Sequence, residues 1–117
     1  MRKPTQCVLW NEVGLTPETL DLEMVRVFVR SEHIERDLLK CCECGQLYFH
    51  EWYEHISFKH DDDMYDTYIP IETEEEIQQL LDTKTSADLA KFLPQLHGSY
   101  TNNKNDGLRW IEKPEDF

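Results

Sequence analysis

Residues 46–58 read QLYFHEWYEHISF, thirteen positions with five aromatic side chains and no glycine or proline. Whether this run is a strand or a helix decides the fold. As a strand it places Tyr48, His50, Trp52, Glu54, Ile56 and Phe58 on one face and Leu47, Phe49, Glu51, Tyr53, His55 and Ser57 on the other. Neither face is cleanly apolar, so a helix is the competing reading, but the aromatic content favours a long, twisted strand.

Working outward, Val25–Arg30 has the β-branched and aromatic enrichment of a strand, Ser31–Asp37 reads as a loop, and Leu38–Cys41 as the returning strand. Cys41–Gly45 is a turn. Downstream, His60–Asp63 is a polar turn and Tyr65–Ile71 a strand that meets Pro70 near its end. Thr73 and Glu76 form a capping box ahead of Ile77, Leu80 and Leu81 at helical spacing. Ser86 is expected to cap a second short helix carrying Leu89, Phe92 and Leu93, closed by Pro94. Asn105-Asp106-Gly107 is a tight-turn signal before a last strand, Leu108–Ile111. At the start, residues 1–15 read as an irregular lead with Cys7–Trp10 buried, and Thr16-Pro17-Glu18 opens a helical turn through about Glu23. Residues 112–117 are expected to fray. The result is one α+β domain over residues 1–117: an antiparallel sheet of about four or five strands with two short helices packed on one face.

A chain of 117 residues suffices for one modest core. It shows no export signal and no run of about 20 apolar residues, which points to a soluble cytoplasmic protein without a membrane partner. The charge is lopsided. There are 24 acidic against 12 basic residues, and half of the acids but only two of the bases lie between Glu51 and Asp88. Such a field repels phosphate backbones, which excludes nucleic acid as a partner and makes a basic protein the natural counterpart.

Three chemistries compete for the stretch from Cys41 to Asp63. Cys41-Cys42-Glu43-Cys44-Gly45 has the Cys-x-x-Cys-Gly order of a zinc knuckle, with Cys41 and Cys44 as ligands. A closed site needs two more, from Cys7, His33, His50, His55, His60 or His97 or from another chain; otherwise the segment is a tight turn with free thiols. A redox role is less consistent, since a thioredoxin-like pair opens a helix and the residues after Gly45 look extended. His50 and His55 enclose one residue too many for a zinc-protease motif: five positions apart, they diverge by about 140° on a helix and face opposite ways on a strand. No nucleophile elbow, phosphate-binding loop or dinucleotide fingerprint is present, so no enzyme is expected. The acids remain. Their bland reading is a solvated face, and calcium lacks an EF-hand spacing. Interleaved with aromatics, however, Glu51, Tyr53, Glu54, Asp61, Asp62, Asp63 and Asp66 have the composition of an interface for a basic protein.

The segment Cys41-Cys42-Glu43-Cys44-Gly45-Gln46-Leu47-Tyr48, followed by Tyr65-Asp66-Thr67-Tyr68-Ile69-Pro70-Ile71 and an acidic helix start, resembles a group of small bacterial proteins. These carry Cys-x-x-Cys-Gly-Gln-Leu-Tyr and a Tyr-Ile-Pro-Val-like strand. The resemblance covers residues 38–83, with weaker similarity at Leu93–Leu96 and Arg109–Ile111; Cys42, His50 and His55 depart from the pattern. Some proteins of this kind are similar to immunity proteins encoded beside secreted or contact-dependent toxins. The resemblance therefore implies an immunity protein, and with the acidic charge it points to a cytoplasmic inhibitor of a basic toxin, with a nuclease as one candidate, that needs no cofactor. The alternative is a zinc-knuckle adaptor, and a small enzyme comes third.

Overall fold

The computed structural model describes all 117 residues. Six strands form one antiparallel meander in chain order: β1 (Leu22–Arg30), β2 (Ile34–Cys41), β3 (Leu47–His55), β4 (Asp63–Ile71), β5 (Gln95–Thr101) and β6 (Lys104–Ile111). Between β4 and β5 lie two helices, α1 (Glu74–Leu81) and the single turn α2 (Ser86–Leu89). The class is α+β as expected, but the sheet has six strands rather than four or five.

The extra strand is β5. Its sequence, QLHGSYT, carries a glycine and follows Pro94, which disguises it. Tertiary contacts explain both its pairing and its glycine. An ideal Cβ on Gly98 would lie 2.4 Å from the Gly107 carbonyl oxygen and from Leu108 Cδ2 of the adjacent strand, so no side chain fits. The reversal between β5 and β6 falls at Asn102-Asn103, whose φ angles of 54° and 63° are those of a tight hairpin turn. Asn105-Asp106-Gly107 is not that turn: it lies inside β6, where the register slips near Gly98. β2 likewise extends back to Ile34, because Glu35, Arg36 and Asp37 pair with Trp52, Glu51 and His50. The run after Gly45 is a strand, as its aromatics indicate, though it stops at His55. The helical turn at Pro17 is only the 3-10 turn Pro17–Thr19. α1 begins at the Thr73 capping box, whereas α2 is capped by Thr85, one residue before the expected Ser86. The C-terminal residues close in a 3-10 turn, Pro114–Asp116, with the Arg109 guanidinium donating to the Asp116 carbonyl.

Strand alternation divides the core in two. On one face Leu38, Phe49, Ile69 and Ile71 bury against Ile77, Leu80 and Leu89 of the helices. On the other, Cys41, Tyr48, Tyr68, Leu96 and Leu108 are covered by Cys7, Leu9 and Leu15 of the N-terminal segment. That segment has almost no regular structure, so its backbone groups bond to the sheet: Leu108 N–H donates to the Leu15 carbonyl at 2.8 Å and Trp110 Nε1 to the Leu9 carbonyl at 2.9 Å. Edge strand β1 exposes Val25, Val27 and Val29, but two register irregularities break the regular ladder that would invite a further strand.

The helix-facing core contains a charge pair. Arg36 and Glu51 are 4% and 2% exposed and meet at 2.8 Å through Nε and Oε2. Arg36 Nη1 also donates to the carbonyls of Thr83 at 2.9 Å and Leu80 at 3.4 Å, at the C-terminal end of α1 where a cation is favoured. Glu51 is therefore a structural group, not the partner-facing carboxylate expected of it. Replacing Arg36 by Ala strands the Glu51 charge in the core and should cost about 3–5 kcal/mol of unfolding free energy, read by urea denaturation. Replacing both residues by apolar ones should cost clearly less than the sum of the two single changes. Strict additivity would show that the pair does not act as a unit.

Candidate functional site

Two clusters stand at opposite ends of β3. The first is the thiol cluster where β2 turns into β3. Cys41 ends β2, and the chain reverses through two backbone bonds of 2.8 Å, Gly45 N–H to the Cys41 carbonyl and Cys41 N–H to the Gln46 carbonyl. Gly45 sits at φ +81°, a conformation that favours glycine. The turn brings Cys44 back towards Cys41, and the N-terminal segment delivers Cys7, so that the three Sγ atoms lie within 4.8 Å of one another. Cys7 and Cys41 are buried and Cys44 is exposed. These three side chains are close enough to hold a metal ion.

The surroundings of the sulfurs are polar on one side and closed on the other. Burial pushes the Cys7 thiol up to about 12, against the opposing influence of the Tyr48 hydroxyl and the Leu9 N–H. Cys44 moves the other way: partial burial raises it, but the Gln46 N–H, the Cys7 and Cys41 thiols and the Val8 N–H together bring it below its ordinary value. The Tyr48 hydroxyl is fully buried beside Cys7 and has no nitrogen or oxygen partner. A cavity of about 370 Å³ lies against Cys7 and Cys44, walled by Gln6, Gln46, Ile71 and Glu72. The other ligand candidates lie elsewhere. His50 is held by carboxylates, His33 faces Glu54, His60 bonds within its own loop, His97 meets Thr67, and His55 is exposed. The exposed Cys42 turns to Asp21.

The second cluster is the tip formed by residues 56–62, which join β3 to β4, and the adjacent β5–β6 turn. Here the expected aspartates are brought together, but each has an internal partner. Asp61 Oδ2 accepts from the Tyr100 hydroxyl at 3.1 Å and its N–H donates to Asn103 Oδ1 at 2.9 Å. Asp62 Oδ1 accepts the Ser57 N–H at 3.0 Å, and Asp63 Oδ1 accepts the Asn102 N–H at 3.1 Å. Asp61 and Asp63 thus fasten the two hairpin ends together, while Asp62 ties the loop back to Ser57. From this platform Phe58 projects, 99% exposed, with Ile56 40% exposed close by in the chain. The tip thus presents apolar surface beside its carboxylates. Phe58, expected on a strand face, lies in the loop because β3 ends at His55.

The remaining predicted residues are dispersed. Tyr53 is half-buried on the helix face with its ring 6.2 Å from Tyr65, while Glu54 faces the other way and meets His33 Nδ1 at 3.2 Å. Asp66 belongs to a charge stack running across three strands: His50 lies between Asp37, 3.0 Å from Nδ1, and Asp66, 2.8 Å from Nε2, with its ring stacked on Tyr68. Asp66 also borders a cavity of about 220 Å³ that includes Trp52, Met64, Tyr100 and Glu18. No known protein family, curated protein or solved structure matches the chain.

Although burial opposes it, hydrogen bonding and charge from Asp37 and Asp66 hold His50 protonated, with its pKa raised from 6.5 to about 9. Its contribution to stability is therefore fully present below pH 6.5 and is lost as pH rises through 9, amounting to roughly 3 kcal/mol at one pKa unit per 1.36 kcal/mol. His97, lowered by burial and Arg109, acts in the opposite sense on the acid side. Denaturation midpoints of wild type should fall across this alkaline window and those of His50→Gln should stay flat. Parallel profiles would remove His50 as the cause.

Proposed function

We propose that this protein is a binding protein that neutralises a basic bacterial toxin, acting through the tip that joins β3 to β4. The observation that carries this reading is Phe58, almost wholly in water on a loop whose Asp61, Asp62 and Asp63 are fastened in place. A pre-ordered loop loses little freedom on binding, the ring supplies buried area, and the carboxylates steer a cationic surface and keep a free oxygen's worth of acceptor capacity for Lys or Arg. The acidic excess between Glu51 and Asp88 supports the same class of partner. The reading places the protein in the cytoplasm, requires tight association and no chemical step. No helix is long and apolar enough to cross a membrane.

The test is a pull-down of tagged protein from a host co-expressing the open reading frames beside its own, with partners identified by mass spectrometry. A stoichiometric basic protein, toxic when expressed alone, is expected. Phe58→Ala should then weaken its binding by at least about 30-fold, the effect of a 2 kcal/mol interface anchor. Association should slow steeply with added salt. A partner that binds Phe58→Ala as tightly as wild type, with salt-independent kinetics, would move the interface away from the tip.

The thiol cluster favours a second reading, a zinc-bearing adaptor whose metal organises a protein-binding surface. Zinc is the ion proposed, because three sulfurs suit a borderline-soft cation that tolerates tetrahedral thiolate sites. Metal analysis of protein purified without chelator tests it.

A further inference from the structure

We propose that Cys7, Cys41 and Cys44 together bind one zinc ion as three thiolates, and that the fourth coordination position opens onto the cavity walled by Gln6, Gln46 and Glu72. This rests on the metal-bearing reading above and differs from a closed knuckle, which would need a fourth protein ligand. Three observations carry it. The sulfurs come from two segments far apart in sequence and still lie within 4.8 Å of one another, a spacing that fits ligands of a single ion at about 2.3 Å each. The turn that carries two of them is closed by backbone bonds of 2.8 Å from the Gly45 N–H to the Cys41 carbonyl and from the Cys41 N–H to the Gln46 carbonyl, so Cys44 is held against Cys41 by the fold itself. Finally, the Tyr48 hydroxyl is buried without a hydrogen-bond partner, and Tyr48 packs in the same core cluster as Cys7 and Cys41. A neutral thiol is a weak acceptor for that proton, while a metal-bound thiolate is a strong one, so metal binding satisfies an otherwise orphaned donor.

No fourth ligand is in the cluster. No histidine joins the three sulfurs, and the exposed Cys42 lies outside the group. The cavity of about 370 Å³ borders Cys7 and Cys44 but not Cys41, so the ion's unprotected side faces it. Binding converts three thiols to three thiolates and releases three protons, leaving a site of net charge −1. A neutral fourth ligand, water or an imidazole, suits that charge better than the Glu72 carboxylate. The ion also joins the N-terminal segment to the β2–β3 turn.

The experiment combines zinc titration, read by chelator competition, with cobalt substitution of the same protein. Wild type is expected to bind one zinc per chain. Cys7→Ser and Cys44→Ser should each lose affinity by more than about 100-fold, Tyr48→Phe by about 10-fold as a group that supports a ligand, and Cys42→Ser and Glu72→Gln not at all. Circular dichroism of each variant separates loss of metal from loss of fold; the exposed Cys44 is the position least exposed to that ambiguity. Adding imidazole should shift the cobalt ligand-field bands if the fourth position is open. Bands indifferent to imidazole but altered in Glu72→Gln would overturn the open position and leave the metal reading standing. Undiminished binding by Cys7→Ser would overturn the ligand set, and wild type that takes up no zinc would end both.

Discussion

The Arg36–Glu51 pair is the constraint on which the arrangement of the helices depends. An ion pair this deeply buried gains little net stability over apolar packing, because desolvation offsets most of its attraction. Its value is positional. The guanidinium has one geometry that satisfies Glu51 and the terminal carbonyls of α1 together, and that geometry sets where the helix ends on the sheet. One Arg36 nitrogen, Nη2, has no partner, so even this network is not fully satisfied. Around it Phe49, Ile69, Ile71 and Leu80 exclude water, which strengthens the bonds that are made.

The opposite face of the sheet is organised by different means. Its cover is an irregular N-terminal segment whose attachment depends on isolated backbone bonds and a few buried side chains, among them Cys7. A cross-link at this point has more to contribute than it would under a helix, because loose segments lose more freedom on docking than elements that are already ordered. The proposed ion sits where such a link would be useful. The His50 stack with Asp37 and Asp66 lies further along the same face and puts a fixed positive charge between two carboxylates, leaving that part of the sheet only mildly acidic.

Because β3 runs nine residues from Leu47 to His55, the thiol cluster and the acidic tip are separated by about 30 Å of strand. The proposed partner contact and the proposed metal site thus lie at opposite ends of β3. The tip itself illustrates how a run of like charges is accommodated. Asp61, Asp62 and Asp63 do not simply repel one another in solvent; each accepts a hydrogen bond from a loop or hairpin group, which lowers the cost of gathering them and orders the backbone that presents Phe58.

Much of the meander was legible from residue order, because β-branched and aromatic enrichment, the Thr73 capping box and the Cys-x-x-Cys-Gly turn are local features whose geometry is set within a few residues. β5 escaped because Gly98 and His97 have no strand signature of their own; a strand formed there only because β4 and β6 supply partners on both sides. Glu51 looked like a surface acid because nothing near it in sequence announces Arg36 across the sheet, fifteen positions away. The sequence by itself determined the class of the fold, the acidic character of the molecule and two of the three clustered cysteines. Only the tertiary structure decided that Cys7 rather than any histidine completes the cluster, that Asp61 and Asp63 fasten two hairpins together, and that Phe58 stands free. These are contacts between segments distant in the chain, and their partners are chosen by strand register and burial, which no local spacing encodes.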